Sequence, residues 1–314
     1  MTRPNRIRRS ELSTPATSEK MITKAAASDA DLVFLDLEDA VAPSAKTGAR
    51  KNIVAALNDL DWGDTVRAFR CNSVDTKWCH GDIIEVVTGA GANLDIVIIP
   101  KIKGPRELWF VDDLLTQLEL DLGLEVGRIG IEVLIEEVEA LQTVNEIATC
   151  SPRLEAMILG VGDLSASQGM RLGHIGTTAG QGSIKYPGDI WHYARVQMIV
   201  AARSAGIDAI DGPFANFTRP DAYEESAATF AMMGGVGKWA IHPSQIAPAN
   251  KVFAPSEADV ELAQAAIGAV REAEARGDGA ATFEGMMIDA ATARMFEVTL
   301  ERARMCGMTS GGQP

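Results

Sequence analysis

The chain reads IEVLIE at residues 131–136 and AMILGVGD at residues 156–163. Each stretch is a largely apolar run that ends in a carboxylate, Glu136 in the first and Asp163 in the second. Such runs are typical of strands that are buried on both faces of a parallel sheet. Because the carboxyl ends of parallel strands meet on one face of the fold, we expect the two carboxylates to lie near each other. Gly160 and Gly162 would let the backbone come close, and two oxygen ligands of this kind suit Mg²⁺.

Six further runs of the same character lie on either side of these two. The predicted strands cover residues 9–13, 32–37, 66–71, 94–100, 129–135, 154–159, 207–210 and 236–241. Helix-like segments separate them, including residues 45–57, 106–118, 138–148, 191–205 and 221–232. Strand and helix alternating eight times predicts an α/β fold of the (β/α)8 TIM-barrel type. An open, doubly wound sheet has the same alternation and stays an alternative at this point.

The domain organisation follows from where the alternation ends. We predict a TIM-barrel catalytic domain at residues 1–254 and a C-terminal helical extension at residues 255–314. The extension opens with Ser256 and, three residues later, Asp259, which is the spacing of a helix cap. Its Met- and Ala-rich composition predicts a packing surface for a neighbouring subunit. Residues 169–190 are rich in Gly and Thr, and they predict a long loop over the carboxyl-end face of the barrel.

Composition excludes several classes of protein. A net charge of −14 argues against general nucleic-acid binding, although a local cluster of cations can still bind a small anion. No run approaches the roughly 18 apolar residues of a membrane span, and no signal peptide is recognisable. The four cysteines form no CxxC pair, which favours reduced thiols. We therefore expect a cytoplasmic protein that binds neither nucleic acid nor membrane.

Charged and polar side chains recur at the ends of other predicted strands, near the position that Glu136 and Asp163 occupy at theirs. They are Asp36, Glu38 and Asp39 at the end of the second strand, Arg70 and Asn72 at the end of the third, Lys101 at the end of the fourth and Asp211 at the end of the seventh. A single acid is more often a solvated loop residue, but this recurrence favours a common site. Carboxylates for a metal are combined with cations for an anion, and Arg70 can grip a carboxylate through two hydrogen bonds. Proton abstraction next to a carbonyl is a natural chemistry for such a site.

At these positions the chain resembles the citrate lyase β-subunit-like proteins of the HpcH/HpaI aldolase superfamily. The resemblance is carried by DLEDAV at 36–41, RCN at 70–72, IPK at 99–101 and GVGDL at 160–164, and it runs from about residue 9 to the C-terminus. Two further segments, DGPF at 211–214 and GKWAIHP at 237–243, resemble the L-malyl-CoA/β-methylmalyl-CoA lyase branch, as does the C-terminal extension with Asp289.

The resemblance implies a lyase that reversibly cleaves a 3-hydroxyacyl-CoA, such as malyl-CoA or β-methylmalyl-CoA, to an acyl-CoA and a 2-oxo acid such as glyoxylate. It implies Mg²⁺ or Mn²⁺ held by Glu136 and Asp163. It also implies a homotrimer or homohexamer in which Asp289 enters the site of a neighbouring subunit. The relatives' Gly and basic residue after the first strand are replaced here by Ala16 and Ser18, so we expect Lys20 or Lys24 to hold the coenzyme A.

The complete set of predicted site residues has three parts. The catalytic residues are Asp289, Arg70, Glu38 and Asp39; the substrate-binding residues are Arg70, Asn72, Lys24, Lys101, Gly162 and Asp163; the metal ligands are Glu136 and Asp163. By its local sequence alone, Asp289 is also a favourable acid at the start of a helix. A malyl-CoA thioesterase and a citramalyl-CoA lyase are the alternative activities. A non-catalytic binding barrel ranks last, because Glu136, Asp163 and Arg70 are all present.

Overall fold

The computed structural model describes residues 3–176 and 188–308. Its internal contacts divide the chain into two compact units, Met1–Asn250 and Lys251–Pro314. The predicted boundary at residue 254 is therefore close to the boundary between these units. Each unit has a hydrophobic core of its own, in which apolar side chains are buried away from solvent.

The first unit is a closed barrel of eight parallel strands in sequential order. The strands are β1 Ser10–Pro15, β2 Leu32–Asp36, β3 Val66–Arg70, β4 Ile96–Ile99, β5 Gly130–Ile135, β6 Leu154–Leu159, β7 Asp208–Asp211 and β8 Gly237–Ala240. The closing pair is β1 with β8, in which Leu12 lies opposite Ala240. The TIM-barrel prediction is confirmed, and the predicted strand ends lie within two residues of the observed ones. The alternative of an open sheet is wrong.

Ten α-helices are described up to the boundary of the first unit, which the last of them crosses. They are α1 Glu19–Ala26, α2 Lys46–Asp59, α3 Cys79–Ala90, α4 Pro105–Leu122, α5 Val138–Gln142, α6 Val144–Thr149, α7 Val161–Ser167, α8 His192–Ala205, α9 Pro220–Met232 and α10 Ile246–Val252. The helix predicted at 138–148 is two short helices that meet at Thr143. Helix α7 was not predicted, and it matters for the site because it contains Asp163.

The interior of the barrel changes from apolar to charged toward the carboxyl ends of the strands. Leu32 and Phe34 of β2 belong to the buried core, and Asp36 lies two residues further along the same face. Trp239 of β8 packs against Phe34, with 4.4 Å between the ring centroids. This apolar layer forms the floor beneath the charged residues that end β2 and β3.

The closing seam of the barrel depends on Gly237, the first residue of β8. A Cβ atom there would come within 2.8 Å of the carbonyl carbon of Arg8, which is part of the chain entering β1. The Arg8 side chain is itself buried and pairs with Glu132 at 2.8 Å and with Asp208 at 3.1 Å. Close backbone approach and buried ion pairing therefore both hold the N-terminal segment in place.

The second unit is not wholly helical, so the prediction of a helical extension is wrong for its middle part. A hairpin of β9 Ala280–Phe283 and β10 Met286–Asp289 separates α11 Glu257–Ala275 from α12 Ala290–Met305. Glu284 and Gly285 both have positive φ, as the type I′ turn of a two-residue hairpin requires. The predicted cap at Ser256 is confirmed, because its side chain accepts a hydrogen bond from the Asp259 backbone.

Within the described ranges, every helix is too short or too polar to span a membrane.

Candidate active site

Arg70 ends β3 and is held from one side by Asp36, which ends the neighbouring strand β2. Arg70 Nε donates to Asp36 Oδ1 at 2.8 Å, and Nη2 donates to Oδ2 at 2.6 Å. The guanidinium also lies over the ring of Trp239, 5.4 Å from its centroid. Burial alone would raise the pKa of Asp36, but the charge of Arg70 holds it below its usual range. Arg70 is thus fixed in place, and its fork keeps further N–H groups on Nη1 and Nη2 for an anion.

Glu38 lies between the two cations of the site. Its Oε2 forms an ion pair with Arg70 Nη1 at 2.8 Å. The two groups are not aligned for a hydrogen bond, and this buried oxygen accepts none. Its Oε1 accepts a hydrogen bond from Lys101 Nζ. Burial raises the pKa of Glu38, and the charges of Arg70 and Lys101 oppose that rise. Glu38 is therefore a carboxylate with one oxygen still able to accept a proton or a hydrogen bond.

Lys101 connects the cluster through both its backbone and its side chain. Its φ of 52° is unusual for a residue with a side chain. In this conformation its backbone N–H donates to Glu136 Oε1 at 2.8 Å. Its Nζ lies 3.1 Å from both oxygens of Asp39 and 3.7 Å from Asp163 Oδ1. Lys101 therefore contacts four carboxylates, and it shows that Glu136 and Asp163 face the same small region.

Glu136 is buried directly after β5, and its environment disfavours the charged form. Burial is the largest cause and the negative charge of Glu38 is the next, and together with Asp163 they raise its pKa to about 8. Gly160 follows the neighbouring strand β6, and a Cβ atom there would be only 2.5 Å from the Cβ of Glu136. The expectation that glycine lets the backbone come close is confirmed at Gly160. At Gly162 an added Cβ would meet Ile175 Cδ1 at 3.1 Å.

Asp163 is positioned by a helix. It is the third residue of α7, which begins at Val161, so it does not directly follow the strand as the sequence indicated. Its side chain is 41% exposed, whereas that of Glu136 is almost fully buried. The pair therefore consists of one acid at the bottom of the site and one at its solvent-facing edge.

The donor set fits a magnesium ion. The negative charges of Glu38 and Asp163 disfavour the charged form of Glu136, and a divalent cation would relieve that repulsion. Within residues 3–176 and 188–308, no three His, Cys, Asp or Glu side chains are grouped closely enough to form a metal cage. Mg²⁺ does not need a cage, because it usually keeps several waters and binds one or two carboxylates. Glu136 and Asp163 are sufficient on this criterion.

Lys46 is a residue of the site region that the sequence reading missed. Its buried ammonium group donates to the carbonyl oxygens of Leu37 at 2.8 Å and Glu38 at 2.7 Å. It thereby fixes the loop that carries Glu38 and Asp39. A lysine at the first position of a helix is unfavourable to the helix dipole. The positive charge of Lys46 at the start of α2 was the sequence signal that could have identified this residue.

The remaining predicted residues have varied surroundings. Asn72 donates through its side chain and its backbone to the buried Asp82, at 2.6 and 2.9 Å, which fixes the turn after β3. Lys24 is exposed in the last turn of α1. Ser18 caps the start of that helix by accepting from the Met21 backbone. Asp211 is buried and is engaged by Lys238 and Arg195.

Asp289 lies in the second unit, where it caps α12. Its Oδ1 accepts from the backbone N–H groups of Ala291 at 2.9 Å and Thr292 at 3.1 Å. The hydrogen bond from Thr292 is the main reason that its pKa lies below the usual range. The interpretation of Asp289 as a helix-start acid is confirmed, and its catalytic role stays a prediction.

The predicted loop at 169–190 is described only at its two ends. Residues 177–187 lie outside the described residues, so the prediction that this loop covers the carboxyl-end face is not decided.

Comparison with known proteins identifies relatives along almost the whole chain. The model of the HpcH/HpaI aldolase/citrate lyase family matches residues 9–243. An L-malyl-CoA/beta-methylmalyl-CoA lyase of Rhodobacter capsulatus is 39% identical over 307 residues, which is 96% of each protein. A malyl-CoA/beta-methylmalyl-CoA/citramalyl-CoA lyase of Chloroflexus aurantiacus is 33% identical over 291 residues, covering 89% of this chain and 82% of the relative.

A solved structure extends these comparisons. CitE of Mycobacterium tuberculosis, in complex with magnesium, acetoacetate and coenzyme A, superposes with a TM-score of 0.73 at 26% identity. The match covers 94% of this chain and 97% of that one.

Proposed function

Because the chain belongs to the HpcH/HpaI aldolase/citrate lyase family, we propose that it is a magnesium-dependent carbon–carbon lyase. Its proposed substrate is a 3-hydroxyacyl-CoA, malyl-CoA or β-methylmalyl-CoA, which it cleaves reversibly to an acyl-CoA and a 2-oxo acid such as glyoxylate. The observation that carries the proposal is the charged cluster of Arg70, Lys101, Glu136 and Asp163 at the carboxyl end of the barrel. It supports the binding of a carboxylate beside a metal.

Glu136 and Asp163 would hold the metal, and Mn²⁺, which prefers the same oxygen donors, would serve in its place. When bound, magnesium would polarise the carbonyl oxygen of the 2-oxo acid. Arg70 would bind the carboxylate of that acid through Nη1 and Nη2, with Asp36 fixing the direction of the fork. Lys101 supplies a second positive charge near the same group, and Lys24 is proposed to contact the coenzyme A.

In the cleavage direction, the proton of the 3-hydroxyl group leaves and the carbon–carbon bond breaks. The electron pair then stays on the α-carbon of the acyl-CoA, which must take up a proton. We assign the acceptance of the hydroxyl proton to Glu38, because its Oε2 is buried without a hydrogen-bond donor. Asp39, which pairs with the same Lys101, is proposed to hold that ammonium group in place.

Asp289 is proposed to give the proton to the α-carbon, and to remove it in the condensation direction, from a neighbouring subunit. It would have to exchange its hydrogen bonds with the start of α12 for contact with the substrate.

Met286, Met287 and Met295 are exposed in the same unit as Asp289, at 59%, 77% and 72%, which supports packing against another chain. A homotrimer or homohexamer is the proposed assembly. The free thiols of Cys71, Cys79 and Cys150 accord with the proposed cytoplasmic location.

The proposal is tested by incubating the protein with acetyl-CoA, glyoxylate and Mg²⁺. Accumulation of malyl-CoA is the expected result, and release of free malate would identify a thioesterase instead. Parallel reactions with propionyl-CoA and with pyruvate separate the β-methylmalyl and citramalyl activities, the latter being part of the name of the Chloroflexus relative. If none of these combinations gives a product while the protein is folded and binds Mg²⁺, the proposed lyase function is wrong.

A further inference from the structure

The ammonium group of Lys101 occupies the region that the carboxylates of the site share. It is hydrogen-bonded to Glu38 and lies within 3.1 Å of both oxygens of Asp39. It is also 3.7 Å from Asp163, one of the two proposed metal ligands. The other proposed ligand, Glu136, accepts the backbone N–H of the same residue. A single residue therefore contacts both proposed metal ligands.

The backbone conformation of Lys101 is part of this arrangement. A positive φ is costly for a residue with a Cβ atom, so a lysine at this position needs a compensating interaction. The carboxylates provide one, because the ammonium group satisfies charges that would otherwise repel one another. The side chain is 25% exposed, so it retains space to move toward solvent.

We propose that Lys101 is a built-in counter-cation of the metal site, which competes with the divalent ion for the carboxylates and so lowers the affinity of the protein for Mg²⁺. A divalent ion on Asp163 and an ammonium group in its present position would repel each other strongly, since both would lie within a few ångström of the same carboxylate. Binding of the metal should therefore weaken the contact between Lys101 and Asp163. This inference rests on the metal site of the proposed function and adds the residue that sets its affinity.

The test measures Mg²⁺ binding by isothermal titration calorimetry, with no substrate present and at fixed ionic strength. Lys101→Met removes the charge and keeps an unbranched side chain and the backbone N–H. Allowing for solvent screening of a partly exposed group, its affinity for Mg²⁺ should rise by about tenfold or more. Lys101→Arg keeps a cation and should stay within about threefold of the wild-type affinity, given that a guanidinium can also pair with these acids.

Lys101→Gly provides a second test in case Lys101→Met folds poorly, because glycine adopts positive φ without strain. It should also bind Mg²⁺ more tightly than the wild type. Unchanged or weaker binding in a folded Lys101→Met or Lys101→Gly variant would overturn the inference and leave the lyase proposal intact. Glu136→Gln identifies the site being measured. If the wild type binds no Mg²⁺, or if Glu136→Gln binds it equally well, then the proposed metal site fails and the inference fails with it.

Discussion

Gly160→Ala tests the link between the barrel backbone and the metal site. The added methyl group would lie 2.5 Å from the Cβ of Glu136, where ordinary contacts begin at 3.4 Å. Either the segment of Glu136 after β5 or the segment of Gly160 after β6 must therefore move by about 1 Å, and both segments are packed in the barrel wall. Overpacking of this kind lowers the free energy of unfolding by about 1–3 kcal/mol. Because Mg²⁺ demands near-ideal geometry, the same shift should weaken its binding by about 100-fold.

The assay combines Mg²⁺ titration calorimetry with chemical denaturation of the metal-free protein. Gly48→Ala is the matched control, because Gly48 lies in α2 and has no atom within 4 Å of an added Cβ. It should stabilise the fold by about 0.5–1 kcal/mol and leave metal affinity unchanged. A Gly160→Ala variant that binds Mg²⁺ as tightly as the wild type would refute the view that this glycine makes room for Glu136.

Three further predictions concern the charged groups. Arg70→Lys should lower kcat/KM for glyoxylate by about 100-fold, because lysine lacks the two-donor fork; an unchanged value would contradict the assignment. Since Glu136 has a raised pKa of about 8, a proton competes with the metal below that pH. As the pH increases toward 8, Mg²⁺ affinity should therefore rise by up to about tenfold per pH unit, and above pH 8 it should level off. Calorimetry from pH 6.5 to 9 measures this profile, and an affinity that does not change with pH would contradict the prediction. Asp289→Ala and Glu136→Gln should each be nearly inactive alone, yet regain partial activity when their subunits are exchanged into mixed oligomers. The shared-site proposal does not survive if verified mixed oligomers stay inactive, or if the Asp289→Ala protein is active by itself.

The amino-acid sequence by itself determined the eightfold alternation of strand and helix and the composition of the site, whereas closure into a barrel was decided by the pairing of β1 with β8. Apolar runs such as 131–135 and 154–159 are short and lie between helix-like segments, and as strands buried on both faces they remove their side chains from water. In a closed parallel barrel the carboxyl ends of all strands face the same side. The charged residues that end β2, β3, β4 and β5 were therefore bound to meet, and they do so around Lys101 and Arg70.

The partners of each charge were decided only by the tertiary structure. That Asp36 holds Arg70, that Asn72 is turned toward Asp82 and that Lys46 clamps the loop before α2 all depend on the register between neighbouring elements. Local sequence carries no such information, because ion pairs form between residues that are far apart along the chain. The same holds for Asp163, which a helix and not a strand positions beside Lys101. The local pattern indicates which residue types lie at the strand ends. Whether a carboxylate holds a cation, a proton or a metal depends on distances of a few ångström, and these distances arise only when the barrel closes.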